Sequence, residues 1–421
     1  MAAQVLGSLA AVDVVALCQD LIRIRTVNPP GDEGPAAEYV ARRLREAGLE
    51  VEVLGHGPGR ASVIGRLRGS GGAPALLLSG HLDTVPVGDQ PWSRDPFAGE
   101  VADGRIWGRG AADMKGGVAA MLAAVEAVAA ACRSEDPGGG PGGLRLQGDL
   151  LFAATAGEEV DSLGAAAAAR RLAGTPVQAI VIGEPSGNDV YIAEKGALWL
   201  ELVTHGRTAH GSSPELGRNA VMMMVTLLAE LDRLEIPHTP HPLLGTLSRS
   251  VGTVAGGVKT NVVPDRCVAT VDMRTVPGQD HGAIVRAVEG LIADLARRHP
   301  GFRAEVRVVN DRRPVVTDPA HPAVQAFLDA AGAVRGRRPE PTGVRYYTDA
   351  TELVPVLGAP MIICGPGDPR LAHQPDESVE VDRLVEAARI YALAAVRMLA
   401  GSGSTQTPRG SQRKDASGRV T

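Results

Sequence analysis

Histidine and carboxylate residues recur in this chain directly after short apolar runs. Ala75–Ser79 leads into Gly80-His81-Leu82-Asp83, Leu150–Thr155 into Ala156-Gly157-Glu158-Glu159, and Ala179–Ile182 into Gly183-Glu184-Pro185-Ser186. Gly108-Arg109-Gly110-Ala111-Ala112-Asp113-Met114-Lys115-Gly116-Gly117 precedes an Ala-rich segment, and Met361–Cys364 leads to Gly365-Pro366-Gly367 and on to Ala372-His373-Gln374. His81, Asp113, Glu159, Glu184 and His373 are two imidazoles and three carboxylates, a donor set suited to zinc or another borderline divalent ion. Five ligands are too many for one tetrahedral ion that keeps an open position. They match two ions sharing one carboxylate and one water, held ~3.5–4 Å apart so that they clamp both the attacking and the carbonyl oxygen.

Two further acids fall beside these. Asp83 lies two residues after His81, placed to orient that imidazole. Glu158 is left over next to a ligand, where a general base for the shared water belongs. The bland readings differ in weight. A lone histidine is more often structural than ligating, but His81 has a carboxylate beside it. Glu158 and Glu159 also suit the start of a helix, where negative charge is favoured. His238 and His241 stand among prolines with no carboxylate cluster and read as loop residues, and His205, His281, His299 and His321 as surface or structural.

The elements that must hold these residues are legible from periodicity. A helix is predicted over residues 13–27 with Asp13 as N-cap, and another from Gly34 to Ala47, ended by Gly48. Short strands follow at Glu50–Leu54 and Ser62–Leu67, then the buried Ala75–Ser79. A helix over 116–131, a Gly/Pro-rich surface excursion from Asp136 to Gly143, the strand Leu150–Thr155, a helix at Leu163–Leu172 and the strand Ala179–Ile182 continue an α/β pattern. In such sheets ligands bind beyond the carboxyl ends of the strands. From about Lys195 the order becomes strand, helix, strand, strand, helix, strand, the split βαβ of a ferredoxin-like unit. Helix–strand alternation resumes from Ala323 to Met398. The reading is therefore a first part of one domain at 1–194, an inserted domain at 195–310, the second part at 311–400, and a polar, disordered tail at 401–421.

Bulk properties narrow the function classes. The 421 residues are 44% hydrophobic and 22% charged, and the net charge of -5 implies no basic face for nucleic acid. The short cluster Arg335-Gly336-Arg337-Arg338 reads as a solvated helix end. Cys18, Cys132, Cys267 and Cys364 form no Cys-x-x-Cys pair, which fits reduced thiols in a cytoplasm. Asp13 interrupts any signal-peptide pattern, and no apolar stretch reads as long and uninterrupted enough to span a bilayer.

Six motifs in order resemble the dizinc family of acetylornithine deacetylase, succinyl-diaminopimelate desuccinylase, aminoacylase and carboxypeptidase G. They are Ser-Gly-His81-Leu-Asp83-Thr-Val-Pro, Gly-Arg-Gly-Ala-Ala-Asp113-Met-Lys-Gly-Gly, Gly-Glu158-Glu159, Gly-Glu184-Pro-Ser, Ala-His210-Gly-Ser-Ser-Pro and Ala-His373-Gln-Pro-Asp-Glu. The resemblance runs from about residue 13 to 398. It implies an α/β, zinc-peptidase-like catalytic domain with a mostly parallel central sheet, plus an inserted ferredoxin-like α+β lid and dimerisation domain. It implies two Zn²⁺ per chain, with Co²⁺ able to substitute: His81 and Glu184 on one, Glu159 and His373 on the other, and Asp113 bridging ahead of a cis peptide to Met114. Glu158 would move the proton from water to the leaving amine. His210 would stabilise the oxyanion, reaching the partner's site in a homodimer; without the resemblance, Ala-His-Gly-Ser reads equally well as a turn. Asn261, in Lys-Thr-Asn-Val-Val-Pro, and Arg274, in Asp-Met-Arg, match positions that hold a substrate carboxylate, for which an arginine fork is suited.

The activity expected is cleavage of the amide of a small N-acyl amino acid, with a dipeptidase or carboxypeptidase as the alternative. A non-catalytic relative is disfavoured because Glu158 and all five ligands are present. Tyr346-Tyr347-Thr348-Asp349-Ala350, where relatives often carry small residues, is expected to line the pocket and leaves the acyl group and amino acid unnamed.

Overall fold

A computed structural model describes residues 1–134 and 143–400. The excursion expected from Asp136 and the tail expected at 401–421 fall outside the described residues, apart from Ser134's neighbour across the gap, Gly143.

A nine-stranded sheet forms the larger unit. At its centre Leu150–Thr155, Ala75–His81, Val177–Ile182 and Met361–Ile363 run parallel, in that order. Ala75–His81 and Leu150–Thr155 are buried at every position. That explains their unbroken apolar sequence: both faces are covered by helices, so neither face can alternate to polar. Truncating one such side chain, Leu77→Ala for example, removes packing worth about 2–5 kcal/mol. The sheet is mixed rather than parallel throughout. Ala61–Leu67 joins Leu150–Thr155 antiparallel, Glu50–Gly55 joins Ala61–Leu67 antiparallel, and Tyr191–Glu194 and Val315–Val316 close the far side antiparallel.

Helix starts follow local capping. The Asp13 side chain accepts from Ala16 N at 3.0 Å and opens Val14–Arg23; Gly48, at φ +82°, follows the end of Gly34–Glu46. The Ala-rich helix Gly116–Arg133 corrects one expectation. With its lead-in from Ala111 it is long and apolar enough to cross a bilayer, with 83% of its apolar window buried inside the fold. Its alanines let Val381–Leu399 and Ala2–Leu9 pack closely against it, which is why the stretch is so apolar.

The inserted unit is a separate four-stranded antiparallel sheet spanning Gly196 to Arg312, two residues past the expected limit. Its order is Ser248–Gly256, Arg266–Thr275, Gly196–His205, Ala304–Arg312, the split βαβ arrangement. Asn219 and Asp280 cap the helices Ala220–Arg233 and His281–Arg298. Leu198, Leu200, Leu202, Cys267, Ala269, Val271 and Met273 alternate onto the face those helices cover. Trp199, Asp272 and Arg274 therefore fall on the opposite face. All four cysteines are free.

Candidate metal centre

The carboxyl ends of the parallel strands deliver the acidic and imidazole groups to one place. His81 is the last residue of its strand and 1% exposed. Its Nδ1 lies 3.0 Å from the main-chain oxygen of Asp83, an arrangement that fixes the proton on Nδ1 and turns the Nε2 lone pair into the cluster. The Asp83 carboxylate is farther, 3.6 Å from Nδ1. It is committed elsewhere: it accepts from the backbone N–H groups of Gly157 (3.0 Å), Glu158 (3.1 Å) and Glu159 (3.2 Å) and from Asn28 Nδ2 (2.9 Å). Asp83 thus ties the His81 turn to the Glu158–Glu159 turn. Burial opposes its ionisation, but His81 and these donors hold its carboxyl below the usual range.

Asp113 sits between the two imidazoles. Its Oδ1 is 3.1 Å from His81 Nε2 and its Oδ2 is 3.3 Å from His373 Nε2. Glu184 Oε1 flanks His81 Nε2 at 3.6 Å, and Glu159 Oε2 flanks His373 Nε2 at 3.1 Å. Donor atoms of His81, Asp113 and Glu159, and separately of His81, Glu158 and Glu184, lie within 4.8 Å of one another. The Asp113–Met114 peptide is cis, and His373 has a left-handed φ of +63°. Close approach explains the flanking glycines: a Cβ on Gly117 or on Gly365 would stand 2.1 Å from the Gly183 carbonyl oxygen, so the loops carrying Asp113, Glu184 and His373 converge only without side chains there.

Charge is concentrated accordingly. Burial, reinforced by Asp113, pushes Glu184 and Glu159 up, Glu184 well above the carboxylate range. Burial also pushes Glu158 well up, against the pull of His81. Hydrogen bonds to Asp113 and Glu159 raise His373 to about 10. Burial works against ionisation of Asp113, yet the His373 and His81 imidazoles hold its carboxyl low. Such mutually burdened acids around two imidazole nitrogens form a donor set that a divalent cation relieves, so the residues fit a metal site.

Several supporting residues have no role in the sequence reading. Glu377, fully buried, accepts from Arg109 Nη1 at 2.6 Å and from the N–H groups of Gly110 (3.0 Å), Ala112 (2.8 Å) and Asp113 (2.9 Å). It clamps the Asp113 loop to the segment that carries His373. The strand Ser378–Glu380 beside it pairs with Arg105–Trp107 and reinforces the same seam. The signal was present, since Glu377 closes the His373 motif, but nothing local marks it as buried. Asn28 and Arg109 were likewise invisible, because their partners are distant in sequence.

Above the cluster opens a cleft of about 390 Å³, lined by the cluster, by Pro185, Tyr346, Tyr347, Pro369 and Ala372, and by Trp199 and Arg274 of the inserted sheet. Arg274 therefore reaches the cleft. His210 and Asn261 do not line it in their own chain. They are exposed neighbours on the inserted unit, joined by the His210–Val262 bridge and by Gly211 N donating to Asn261 O at 2.8 Å.

Comparison with known proteins places this geometry. The model for peptidase family M20/M25/M40 matches residues 77–397. An acetylornithine deacetylase from Myxococcus xanthus is 31% identical over 379 residues, covering 87% of this chain and 93% of that protein. A succinyl-diaminopimelate desuccinylase from Cereibacter sphaeroides is 32% identical over 391 residues, covering 90% and 97%. Among solved structures, an M20 family metallo-carboxypeptidase from Sulfolobus solfataricus superimposes with a TM-score of 0.76 at 19% identity, covering 92% of this chain and 99% of that one.

Proposed function

The chain belongs to peptidase family M20/M25/M40, metal-dependent hydrolases of amide bonds, and from that premise we propose that it deacylates a small N-acyl amino acid. The observation that carries the reading is Asp113, whose two carboxylate oxygens face different imidazoles at 3.1 and 3.3 Å. One carboxylate shared between two histidine-bearing half-sites supports two ions per chain. His81 and Glu184 would hold one, Glu159 and His373 the other, with Asp113 between them; imidazole with carboxylate suits Zn²⁺, and Co²⁺ as a substitute. Bound there, the ions would polarise the scissile carbonyl and make water a stronger acid.

The chain's own groups do the rest. Asp83 fixes the His81 ring through its carbonyl and the Glu158 turn through its carboxylate. Glu158, beside but outside the two ligand pairs, takes the proton from the attacking water and returns it to the departing amine. Arg274, which lines the cleft, receives the substrate carboxylate, and Asn261, brought by a second copy of the chain, is a second carboxylate contact. His210 stabilises the oxyanion, and it does so from a second copy of the chain. Support for that homodimer comes from the edge strand Ser248–Gly256, whose outer side has no partner strand among the described residues, and from exposed Val254 (53%) on that strand and Met222 (59%) and Val225 (54%) on the helix Ala220–Arg233 of the same unit. In this scheme residues 1–194 and 311–400 form the catalytic domain and 195–310 the lid and dimerisation domain. The free thiols support a cytoplasmic setting.

Deacylation is preferred over dipeptidase or carboxypeptidase action because the relatives at 31% and 32% identity, matched over about nine-tenths of the chain, are named as deacylases. The test is metal content of the purified protein together with hydrolysis of N-acetyl, N-succinyl and N-formyl amino acids and dipeptides, with and without added Zn²⁺ or Co²⁺. About two metals per chain and chelator-sensitive cleavage of acyl amino acids are expected. Preferential cleavage of dipeptides would replace the deacylase reading with the peptidase one, and failure to bind metal would overturn both.

A further inference from the structure

We propose that the amino-acid half of the substrate carries an aromatic or large aliphatic side chain, not a cationic one. This rests on the deacylase reading, which it makes more specific. The chain holds only 3 Trp, 5 Tyr and 4 Phe in 421 residues, yet Trp199, Tyr346 and Tyr347 meet in the one cleft above the metal cluster. Aromatics this scarce, gathered at one mouth, mark a surface built for apolar contact.

What these side chains show to the cleft follows from where their polar ends are spent. The Tyr346 hydroxyl donates to the Pro185 carbonyl oxygen at 2.8 Å. Trp199 Nε1 donates to Asp272 Oδ1 at 3.0 Å. Arg274 Nε donates to Asp272 Oδ2 at 3.1 Å, and its guanidinium lies 5.5 Å from the centre of the Tyr347 ring. Asp272 is thus consumed by two internal partners. It holds Trp199 by its indole nitrogen and Arg274 by its Nε, which leaves the two terminal nitrogens of Arg274 without another hydrogen-bond partner among the described residues and the Trp199 ring lining the cleft. A carboxylate received by Arg274 places the adjoining side chain against Tyr347 and Trp199. Pro185, Pro369 and Ala372 complete the wall with apolar surface.

The charge inventory points the same way. Among the described residues, the acids that line the cleft are Asp113, Glu158, Glu159 and Glu184, all within the metal cluster. No further carboxylate lines it to pair with a side-chain ammonium. Arg274 already lies over the Tyr347 ring, so a side-chain ammonium placed there would meet like charge with no carboxylate outside the cluster to offset it. The sequence relatives quoted above are named for substrates with amino-bearing side chains, so the inference separates this chain from them.

The experiment uses the full-length, zinc-loaded protein. Hydrolysis of N-acetyl-L-phenylalanine and N-acetyl-L-leucine is compared with that of N-acetyl-L-ornithine, and binding of free L-phenylalanine and L-ornithine is measured by calorimetry. The expected result is a kcat/KM preference for the apolar substrates of about 10²-fold, the scale a hydrophobic pocket delivers. Trp199→Ala and Tyr347→Ala should each cut that preference about tenfold or more, and Tyr347→Phe, which keeps the ring, should retain it. An ornithine derivative turned over as well as the phenylalanine one, or a preference unmoved by both alanine variants, overturns the proposal. If nothing in the panel is cleaved, the deacylase reading falls. Calorimetry then decides the pocket separately: tighter phenylalanine binding upholds it, tighter ornithine binding rejects it.

Discussion

Around Asp113, the Glu158–Glu159 turn and the Asp113 loop itself are each held by a buried carboxylate from elsewhere in the chain. Asp83 binds three successive N–H groups of the Glu158–Glu159 turn, and Glu377 binds three of the Asp113 loop while pairing with buried Arg109. Around His210 the terms are reversed. The histidine is exposed, its Nδ1 meets only the neighbouring Ser212 hydroxyl at 2.7 Å and that residue's N–H, and the strand beyond it is exposed along almost its whole length. The first region is finished within one chain. The second stays exposed, its imidazole held only by the adjoining Ser212 among the described residues. Burial thus supplies positional precision in the first region, and the proposed second copy would have to supply it in the second.

The comparison breaks most sharply at Glu158. Glu158→Gln removes the proton carrier while leaving the neighbouring donors, so kcat should fall about 10²–10⁴-fold with metal content unchanged. Steady-state kinetics with elemental analysis of the same sample would show it, and near-normal turnover would refute the general-base role. Glu377→Ala attacks the clamp instead. It strands Arg109 and frees three N–H groups, so a loss of about 3–5 kcal/mol is expected in denaturant unfolding, with reduced metal content. A variant that folds stably and holds its full metal complement would show that the Asp113 loop needs no clamp.

His210→Ala probes the other region. Stability and metal content should be unaffected, while kcat drops about 10²–10³-fold, the size of a lost oxyanion donor. Mixing His210→Ala with Glu158→Gln chains separates action within a chain from action across copies. Exchange of subunits should regenerate a site that has Glu158 from one chain and His210 from the other. No recovery of activity after proven exchange would mean that His210 does not serve a partner.

The smallest effect lies beneath the cluster, at Asp349. Burial raises its carboxyl from 3.8 to about 6, although Thr155 Oγ1 donates to it at 2.6 Å. Between those values the folded chain keeps a proton that the unfolded chain has released, so stability falls as pH rises through the window. Asp349→Asn lacks that slope. Unfolding free energies of the two proteins should diverge from pH ~4 to ~6 by up to about 2–3 kcal/mol in favour of the variant, then run parallel. Parallel curves across the whole window would place Asp349 in a polar, ionised environment.

Much of this was legible in the sequence for a simple reason. The central strands are buried on both faces, so they read as short unbroken apolar runs, and the residue after each run is automatically at the carboxyl edge of the sheet. His81, Glu158, Glu159 and Glu184 were found that way. The inserted unit was equally readable, because alternation along Leu198–Val203 and Cys267–Arg274 reports one covered face. The mixed character of the large sheet was not readable: strand direction depends on which strands become neighbours, and Glu50–Gly55 looks the same paired either way. The length and hydropathy of the apolar helix after Asp113 were underestimated because its hydropathy comes from many small alanines, which its burial in the fold accounts for.

Residue type and local spacing therefore marked the groups that meet in the cluster and roughly where each element begins and ends. They act over a few residues, and so does the signal. Tertiary structure alone decided how those groups meet. It set Asp113 between His81 and His373, gave Glu377 the task of clamping Asp113 from 264 residues away, and closed the polar ends of Trp199 and Tyr346 against Asp272 and Pro185. It also left His210 outside its own cleft. Each of these is a contact between segments far apart in sequence, fixed by the packing of the whole domain and recorded in no local pattern.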